Sequence, residues 1–441
     1  MKPIRILHVL GKLNIGGAES RIMDLYRVID RSRVQFDFVV HTDEACFFDE
    51  EVRALGGRIF SVPRFTITNL SEYKKAWRNL LNEHLVPYDE DEETKDCYSQ
   101  KTGDINNKRY TKGAKSEFAM IQGHMTSTAS IYLPIAKECG IPITIAHARS
   151  AGVDPGLKGK LTRLLRRNLS TKADMLFTCS ELASKAVFGE NAINTRKITF
   201  VPNAIDTAKF RFNTALRDEV RAELDISDRF VFGHVGRVHY AKNHEYLLQI
   251  FSDIIKKWPT ASKETTVIKT EDISSFEGSN LTPDIFRKPP VLILVGDGPR
   301  MAEMKDCANA LGVAENVLFL GSRTNVYGYY DAMDMFLYPS RYEGLPGTVV
   351  EAQASGLPII MSNELCDEVI VTDLIETMGI DIPAEKWADR VLGGIKGYIC
   401  QGNTDMRAEY CTRVHDSGFD VHTQADRLMH FYESGEIDDY C

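Results

Sequence analysis

One stretch constrains this chain more than any other, and it runs from Met335 to Pro358. Met335-Phe336-Leu337-Tyr338 is wholly apolar and stops at Pro339. Such a run reads as a strand buried on both faces, which belongs in a parallel sheet covered by helices rather than in a half-wet antiparallel one. A turn rich in Gly and Pro follows (Gly344, Pro346, Gly347), then Val349 to Ala354 with helical character, ending near Gly356 and Pro358. Glu343 falls in the turn and Glu351 in the expected first helical turn, with seven residues between them. In parallel sheets ligands sit at the carboxyl ends of strands. There, loop amides and a helix N-terminus can hold an anion while two carboxylates accept hydroxyl hydrogen bonds. A phosphate beside a polyhydroxylated ring fits that arrangement.

The same strand, turn and helix pattern repeats along the chain. Ile4 to Leu10 reads as a first strand, followed by the loop Gly11 to Gly17 and a helical pattern from Ala18 to Tyr26. Paired Gly16 and Gly17 at that junction let backbone amides approach a phosphate. The pattern is not GxGxxG, so a dinucleotide fingerprint is absent. Phe36 to Val40, Arg58 to Val62, Phe118 to Gln122, Ile141 to Ala146, Met175 to Ser180 and Ile198 to Asn203 read as further strands of this half. His124 follows one of them and is read as structural. His147, with Arg149 and Ser150 after it, is a candidate for touching substrate at a strand end. Leu157, Leu161, Leu164, Leu165 and Leu169 make one helical stripe, accompanied by Lys158, Lys160, Arg163, Arg166, Arg167 and Lys172 with no acid before Asp174. On an acidic protein this segment, 157–172, is a candidate surface for an anionic membrane.

A crossing near Pro202 to Phe212 leads to a second βα series. Phe230 to Gly236 reads as its first strand. Arg237 and Lys242, five residues apart in the following loop, can approach one diphosphate from two directions. Val291 to Val295 ends in the turn Gly296-Asp297-Gly298-Pro299, whose glycines permit close approach of a ligand. Polar stretches without periodicity, about 88–115 and 259–290, read as insertions. The expected domains are therefore residues 1–205 joined by a terminal helix at about 422–441, and residues 206–421.

Several classes are excluded by composition. The formal charge of −9 argues against general nucleic-acid affinity, and no run of 18 apolar residues is available to span a membrane. Nine cysteines lack zinc-ligand spacing, which fits reduced thiols in a cytoplasmic protein. No signal-peptide pattern precedes the first strand. No D-x-D-like pair stands at a strand end to hold a metal.

Taken together, Gly16-Gly17-Ala18-Glu19, Val201 to Asp206, Gly236-Arg237 with Lys242-Asn243, Gly296 to Pro299 and Glu343-x7-Glu351 resemble the retaining GT-B glycosyltransferases of family 4, in the order seen there. The likeness is strongest to bacterial enzymes of exopolysaccharide and capsule assembly. It implies an α/β fold of two Rossmann-like parallel-sheet domains facing across a cleft, with a UDP- or GDP-linked sugar donor held mainly by the second. It implies that Arg237 and Lys242 bind the donor diphosphate, Glu343 the donor sugar and Glu351 the ribose. Gly16 and Gly17 would meet the diphosphate or acceptor, Gly344 and Gly347 would line the sugar, Gly296 would lie near the nucleotide, and His147 would sit beside the reacting centre. A glycan or lipid-linked saccharide is the implied acceptor, with no bound metal required and a place on the inner face of the cell membrane. Here Glu343 is followed by Gly-Leu-Pro-Gly where many members have Gly-Phe-Gly-Leu-Pro. A non-catalytic sugar-nucleotide-binding subunit and a sugar-nucleotide epimerase are the competing readings.

Overall fold

The computed structural model describes residues 2–87, 114–153, 156–258, 288–400 and 404–437. They form two compact units, residues 1–204 with 421–441, and residues 205–420. Each is a parallel sheet covered by helices.

In the first unit the strands are β1 (Ile4–Val9), β2 (Val34–Val40), β3 (Ile59–Ser61), a small antiparallel pair β4 (Leu85–Pro87) and β5 (Ala114–Ser116), then β6 (Phe118–Gly123), β7 (Ile143–Ala148), β8 (Met175–Thr178) and β9 (Ile198–Phe200). The seven-stranded sheet has the order β3-β2-β1-β6-β7-β8-β9, parallel throughout. The second unit holds β10 (Val231–Val235), β11 (Val291–Val295), β12 (Val317–Gly321), β13 (Met335–Tyr338), β14 (Ile359–Ser362) and β15 (Ile375–Met378), in the order β12-β11-β10-β13-β14-β15, again parallel. The chain starts each sheet in the middle, winds outward, then returns to build the other side. A switch point therefore opens at the carboxyl ends between β1 and β6 in one unit, and between β10 and β13 in the other.

Six helices flank the strand ends or close the cores: α1 (Gly17–Val28), α2 (Thr126–Glu138), α3 (Leu157–Arg166), α4 (His244–Lys257), α5 (Gly347–Ala354) and α6 (Val421–Ser434). Burial of apolar stripes fixes them in place. Ile22, Met23, Leu25 and Tyr26 of α1 and Leu428, Met429, Phe431 and Tyr432 of α6 close over β1 and β2 in one core. Leu247, Leu248, Ile250, Phe251 and Ile254 of α4 pack on β10 and β11 in the other.

Four expectations need correction. The leucines of 157–169 are not one continuous helical stripe: Asn168, in the left-handed region at φ 62°, ends the helical path before Leu169, which is buried, while Leu157 is 84% and Leu164 64% exposed. β7 runs on to Ala148, so His147 lies inside the strand rather than beyond it. α5 starts at Gly347, which puts Glu351 in its second turn. The second sheet is completed by β15, whose Ile-Glu-Thr-Met sequence carries no apolar run to announce a strand. The polar insertions at 88–115 and 259–290 lie outside the described residues except at their margins.

Candidate active site

The loops that follow β10 and β13 meet at the switch point of the second unit. Lys242 Nζ lies 2.8 Å from Glu343 Oε1. It also donates to the Tyr338 hydroxyl and sits 4.7 Å from the centre of that ring. Burial works against the ammonium, but the Glu343 carboxylate and the Tyr338 hydroxyl outweigh it and hold the Lys242 pKa above its ordinary value. The two loops are stitched together by several bonds. Asn243, left-handed at φ 58°, donates from Nδ2 to the Pro339 carbonyl at 3.0 Å. The Arg341 amide donates to Ala241 O at 2.7 Å, and its guanidinium reaches Tyr240 O at 2.7 Å and Glu245 at 2.6 Å. Beneath them His234 stacks on Phe336 and Tyr338 at 6.0 and 5.2 Å. Its Nδ1–H donates to Leu337 O at 2.9 Å, and burial lowers its pKa to about 3. The ring is neutral, with Nε2 buried and lacking a hydrogen-bond partner. Glu351 is buried in α5 and accepts from the Tyr330 hydroxyl at 2.7 Å.

Arg237 stands exposed in the β10 loop. That loop is held by the turn after β11: Gly236 N–H donates to Val295 O at 2.9 Å and Val238 N–H to Asp297 O at 3.0 Å. A Cβ on Gly296, whose φ is +135°, would lie 2.1 Å from Gly236 O, and one on Gly298 would lie 2.3 Å from Val238 O. What approaches them is the backbone of the Arg237 loop.

At the switch point of the first unit three imidazoles form a row. His8 of β1 and His124, just past β6, are joined Nδ1 to Nε2 at 3.1 Å. Arg149 donates from Nε to His124 Nδ1 at 3.1 Å and from Nη1 to Asn203 Oδ1 at 2.7 Å. With Nδ1 accepting, the neutral His124 ring carries its hydrogen on Nε2 and donates it to His8. His147 is buried, with Nδ1 receiving the Gln122 amide at 2.8 Å; Gln122 in turn accepts from Tyr432 at 3.2 Å. Burial, then the Arg149 charge, pushes all three pKa values down, His8 to about 3. Burial also lowers Arg149 itself to about 10. His147 lies in the sheet core, and the partly exposed imidazole at this edge is His124. Gly16 caps α1 in extended geometry, and a Cβ there would run into the Glu19 carboxylate at 2.5 Å. Gly17 opens the helix, and nothing lies within 4 Å of where its Cβ would be.

Comparison with known proteins adds the decisive observation. Residues 217–392 match the family model described as glycosyl transferases group 1. EpsF of Bacillus subtilis (strain 168), named as a glycosyltransferase, is 30% identical over 392 residues, covering 88% of this chain and 86% of its own length. The chain belongs to the glycosyl transferase group 1 family. The capsular polysaccharide biosynthesis glycosyltransferase CapH of Staphylococcus aureus is 21% identical over 366 residues, covering 82% of this chain and 81% of its own. Among solved structures, HepE of Anabaena in complex with UDP-glucose superposes with a TM-score of 0.66 at 16% identity, covering 96% of this chain and 98% of that one. That likeness is one of fold, and it makes this glycosyltransferase a two-sheet GT-B protein.

Of the residues expected to act in this glycosyltransferase, Lys242 and Glu343 are brought into direct contact. Gly344 is buried in the same turn, and Gly347 is the first residue of α5. Sequence reasoning missed Tyr338 and His234. Both belong to strands that read as apolar runs, and the signal available was their place at or next to a carboxyl end: Tyr338 ends β13 and His234 is one residue from the end of β10. Tyr330, the partner of Glu351, comes from a short helix that carried no motif. Among the described residues no group of three or more His, Cys, Asp or Glu side chains converges as a metal site.

Proposed function

We propose that this glycosyltransferase, like the retaining members of family 4, moves a sugar from a nucleotide-sugar donor to a glycan or lipid-linked acceptor with retention of configuration, in exopolysaccharide or capsule synthesis in the cytoplasm. The observation that carries this reading is the Lys242–Glu343 pair at the switch point of the second sheet, with Glu351 one helical turn into α5. The two charges satisfy each other. A bound diphosphate takes over the ammonium, and Arg237 adds a planar fork from the adjacent loop. Glu343, released from Lys242, accepts hydroxyl hydrogen bonds from the sugar, while Glu351 does so from the ribose. As the glycosyl–phosphate bond breaks, negative charge grows on the leaving diphosphate. The cations and the first amides of α5 stabilise that growth without a metal ion. The acceptor oxygen attacks on the face the diphosphate leaves, and the diphosphate takes its proton. The names of EpsF and CapH, and the UDP-glucose bound to HepE, support this reading.

The test has two steps. UDP and GDP, then their common sugar conjugates, are screened for a rise in the thermal midpoint, since a ligand at a hundred times its Kd adds about 2.7 kcal/mol to stability. The nucleotide sugar that binds is then supplied with acceptor, and the anomeric configuration of the product is read by NMR. Retention in an acceptor-dependent product is expected. An epimer formed from donor alone, or an inverted linkage, overturns the proposal.

A further inference from the structure

An ammonium carries three donor hydrogens. Lys242 directs one to Glu343 at 2.8 Å and one to the Tyr338 hydroxyl, and among the described residues the third has no partner. The two partners stand on different kinds of support. Glu343 belongs to the turn between β13 and α5, whereas Tyr338 is the last residue of β13 and wholly buried. A group on a strand is placed more accurately than one on a loop.

Neighbouring rings hold Tyr338 still. His234 lies nearly parallel to it and to Phe336, with interplanar angles of 21° and 2°. His244, the first residue of α4, meets His234 edge-on at 4.7 Å. His234 is fixed by its bond to Leu337 O and stays neutral, so it sets no positive charge against Lys242. The lysine stem is confined as well. A Cβ on Gly236 would lie 3.0 Å from Lys242 Cε, 3.3 Å from Lys242 Cδ and 3.3 Å from His234 Nε2. A flexible four-carbon side chain is thereby held near its end, with its head against one hydroxyl.

We propose that Tyr338 is a positioning residue: its hydroxyl keeps the Lys242 ammonium in place after Glu343 has turned to the donor sugar, so that the two remaining hydrogens face the diphosphate. This role rests on the active-site reading above and adds the group that makes the change of partners workable. On that reading Glu343 leaves Lys242 when the donor binds. With no second anchor the ammonium would be free to follow either charge, and misplacement of a contact group is felt in the rate. A neutral phenol suits the task, because a carboxylate in its place would compete with the diphosphate for the same cation. Burial, then the Glu343 charge, raises the Tyr338 pKa above its ordinary value, so the phenol keeps its proton at neutral pH.

Two measurements on the full chain test this role. The first needs no ligand. Glu343→Gln removes the competing carboxylate charge, and the Lys242 ammonium is followed by nitrogen NMR on lysine-labelled protein, its signal assigned by its loss in Lys242→Ala. A slowly exchanging Nζ signal is expected in Glu343→Gln, and its loss in Glu343→Gln combined with Tyr338→Phe. The second supplies UDP-glucose or GDP-glucose and measures release of UDP or GDP. Tyr338→Phe, which keeps the ring, lowers kcat about tenfold to a hundredfold with KM little changed. Added to Lys242→Ala it lowers kcat no further, because both changes act through one ammonium. A cooperative thermal transition checks the fold of each variant. An Nζ signal that survives Tyr338→Phe, full turnover in that variant, or a further loss on the Lys242→Ala background overturns the role of Tyr338 and leaves the active-site reading standing. Normal turnover in Lys242→Ala removes that reading, and this role with it.

Discussion

Lys242 answers to two partners, and separating them shows what the residue does. Its ammonium is held by Glu343 and Tyr338, and both charged side chains are largely sheltered, Lys242 at 16% and Glu343 at 19% exposure. Lys242→Ala therefore leaves a poorly solvated carboxylate behind and costs about 2–3 kcal/mol of stability, below the range for fully buried pairs because some water remains. On the proposed reading it also removes a contact preorganised for the leaving diphosphate, worth about a hundredfold to a thousandfold in kcat. Adding Glu343→Gln to Lys242→Ala recovers most of the stability, because no unpaired charge remains, but none of the turnover. Urea unfolding and turnover measured on the single and double variants separate the two effects; recovery of turnover in the double variant would remove Lys242 from the chemistry. At this scale the sequence was legible where charge stands in a loop. Lys242 and Glu343, in the loops after β10 and β13, could be named from their neighbours, and the structure brings them into contact. It was illegible where a ring faces inward from a strand: His147 lies one residue before the end of β7 and His124 one residue past the end of β6, and only the strand lengths decide which is core.

Loops at the carboxyl ends are where elements cooperate, and the Arg237 loop is shaped by a strand it does not follow. Two amide bonds from Gly236 and Val238 run to Val295 and Asp297, and both contacts bring backbone against Gly296 and Gly298. Gly298→Ala is the informative change. Its methyl would sit 2.3 Å from the Val238 carbonyl, a backbone atom that cannot swing away, so the loop must move and carry Arg237 with it. A shift near 1 Å in a positioned group costs on the order of a hundredfold in rate. We expect kcat/KM to fall by that order while thermal unfolding stays cooperative. Gly312→Ala, at φ +70° with nothing within 4 Å of its Cβ, is the comparison that isolates contact from backbone strain; equal losses in both would rule out the loop-packing account. The motif Gly296 to Pro299 was visible in the sequence, and its reason was not, because a glycine that admits a ligand and one that admits a neighbouring loop look alike. For the leucines of α3, spacing says which side chains share a face, whereas the partner helix says whether that face is covered: α2 meets Leu165 and Arg166 and leaves Leu157 and Leu164 exposed.

On the scale of the molecule, the second unit interrupts the first. The chain leaves after Ala204 and returns at Val421. At the edge of the second unit the outgoing and returning segments run side by side, with Ile205 N–H donating to Phe419 O at 2.9 Å and Thr207 Oγ1 donating to Asp420 at 2.6 Å. Residues 205–420 thus close on themselves and keep their whole sheet and core. The first unit does not: its core includes Val421, Leu428, Met429, Phe431 and Tyr432 from α6. At about 1.5–3 kcal/mol for each fully buried apolar side chain, that helix contributes on the order of 10 kcal/mol, comparable to the whole stability of an ordinary domain, about 5–15 kcal/mol. The alternation of apolar strands and amphipathic helices made two sheets readable, and the last helix was expected with the first domain; its packing against β1 and β2 gives the physical reason. A fragment of residues 1–204 should accordingly lack a cooperative urea transition, while 205–420 unfolds cooperatively by itself. Joining 1–204 to 421–441 through a short flexible linker restores the transition, because the missing core face is supplied again and closing so short a loop costs little. A cooperative transition in 1–204 alone would show that the sheet holds without α6, and would turn that helix from a structural member into an accessory.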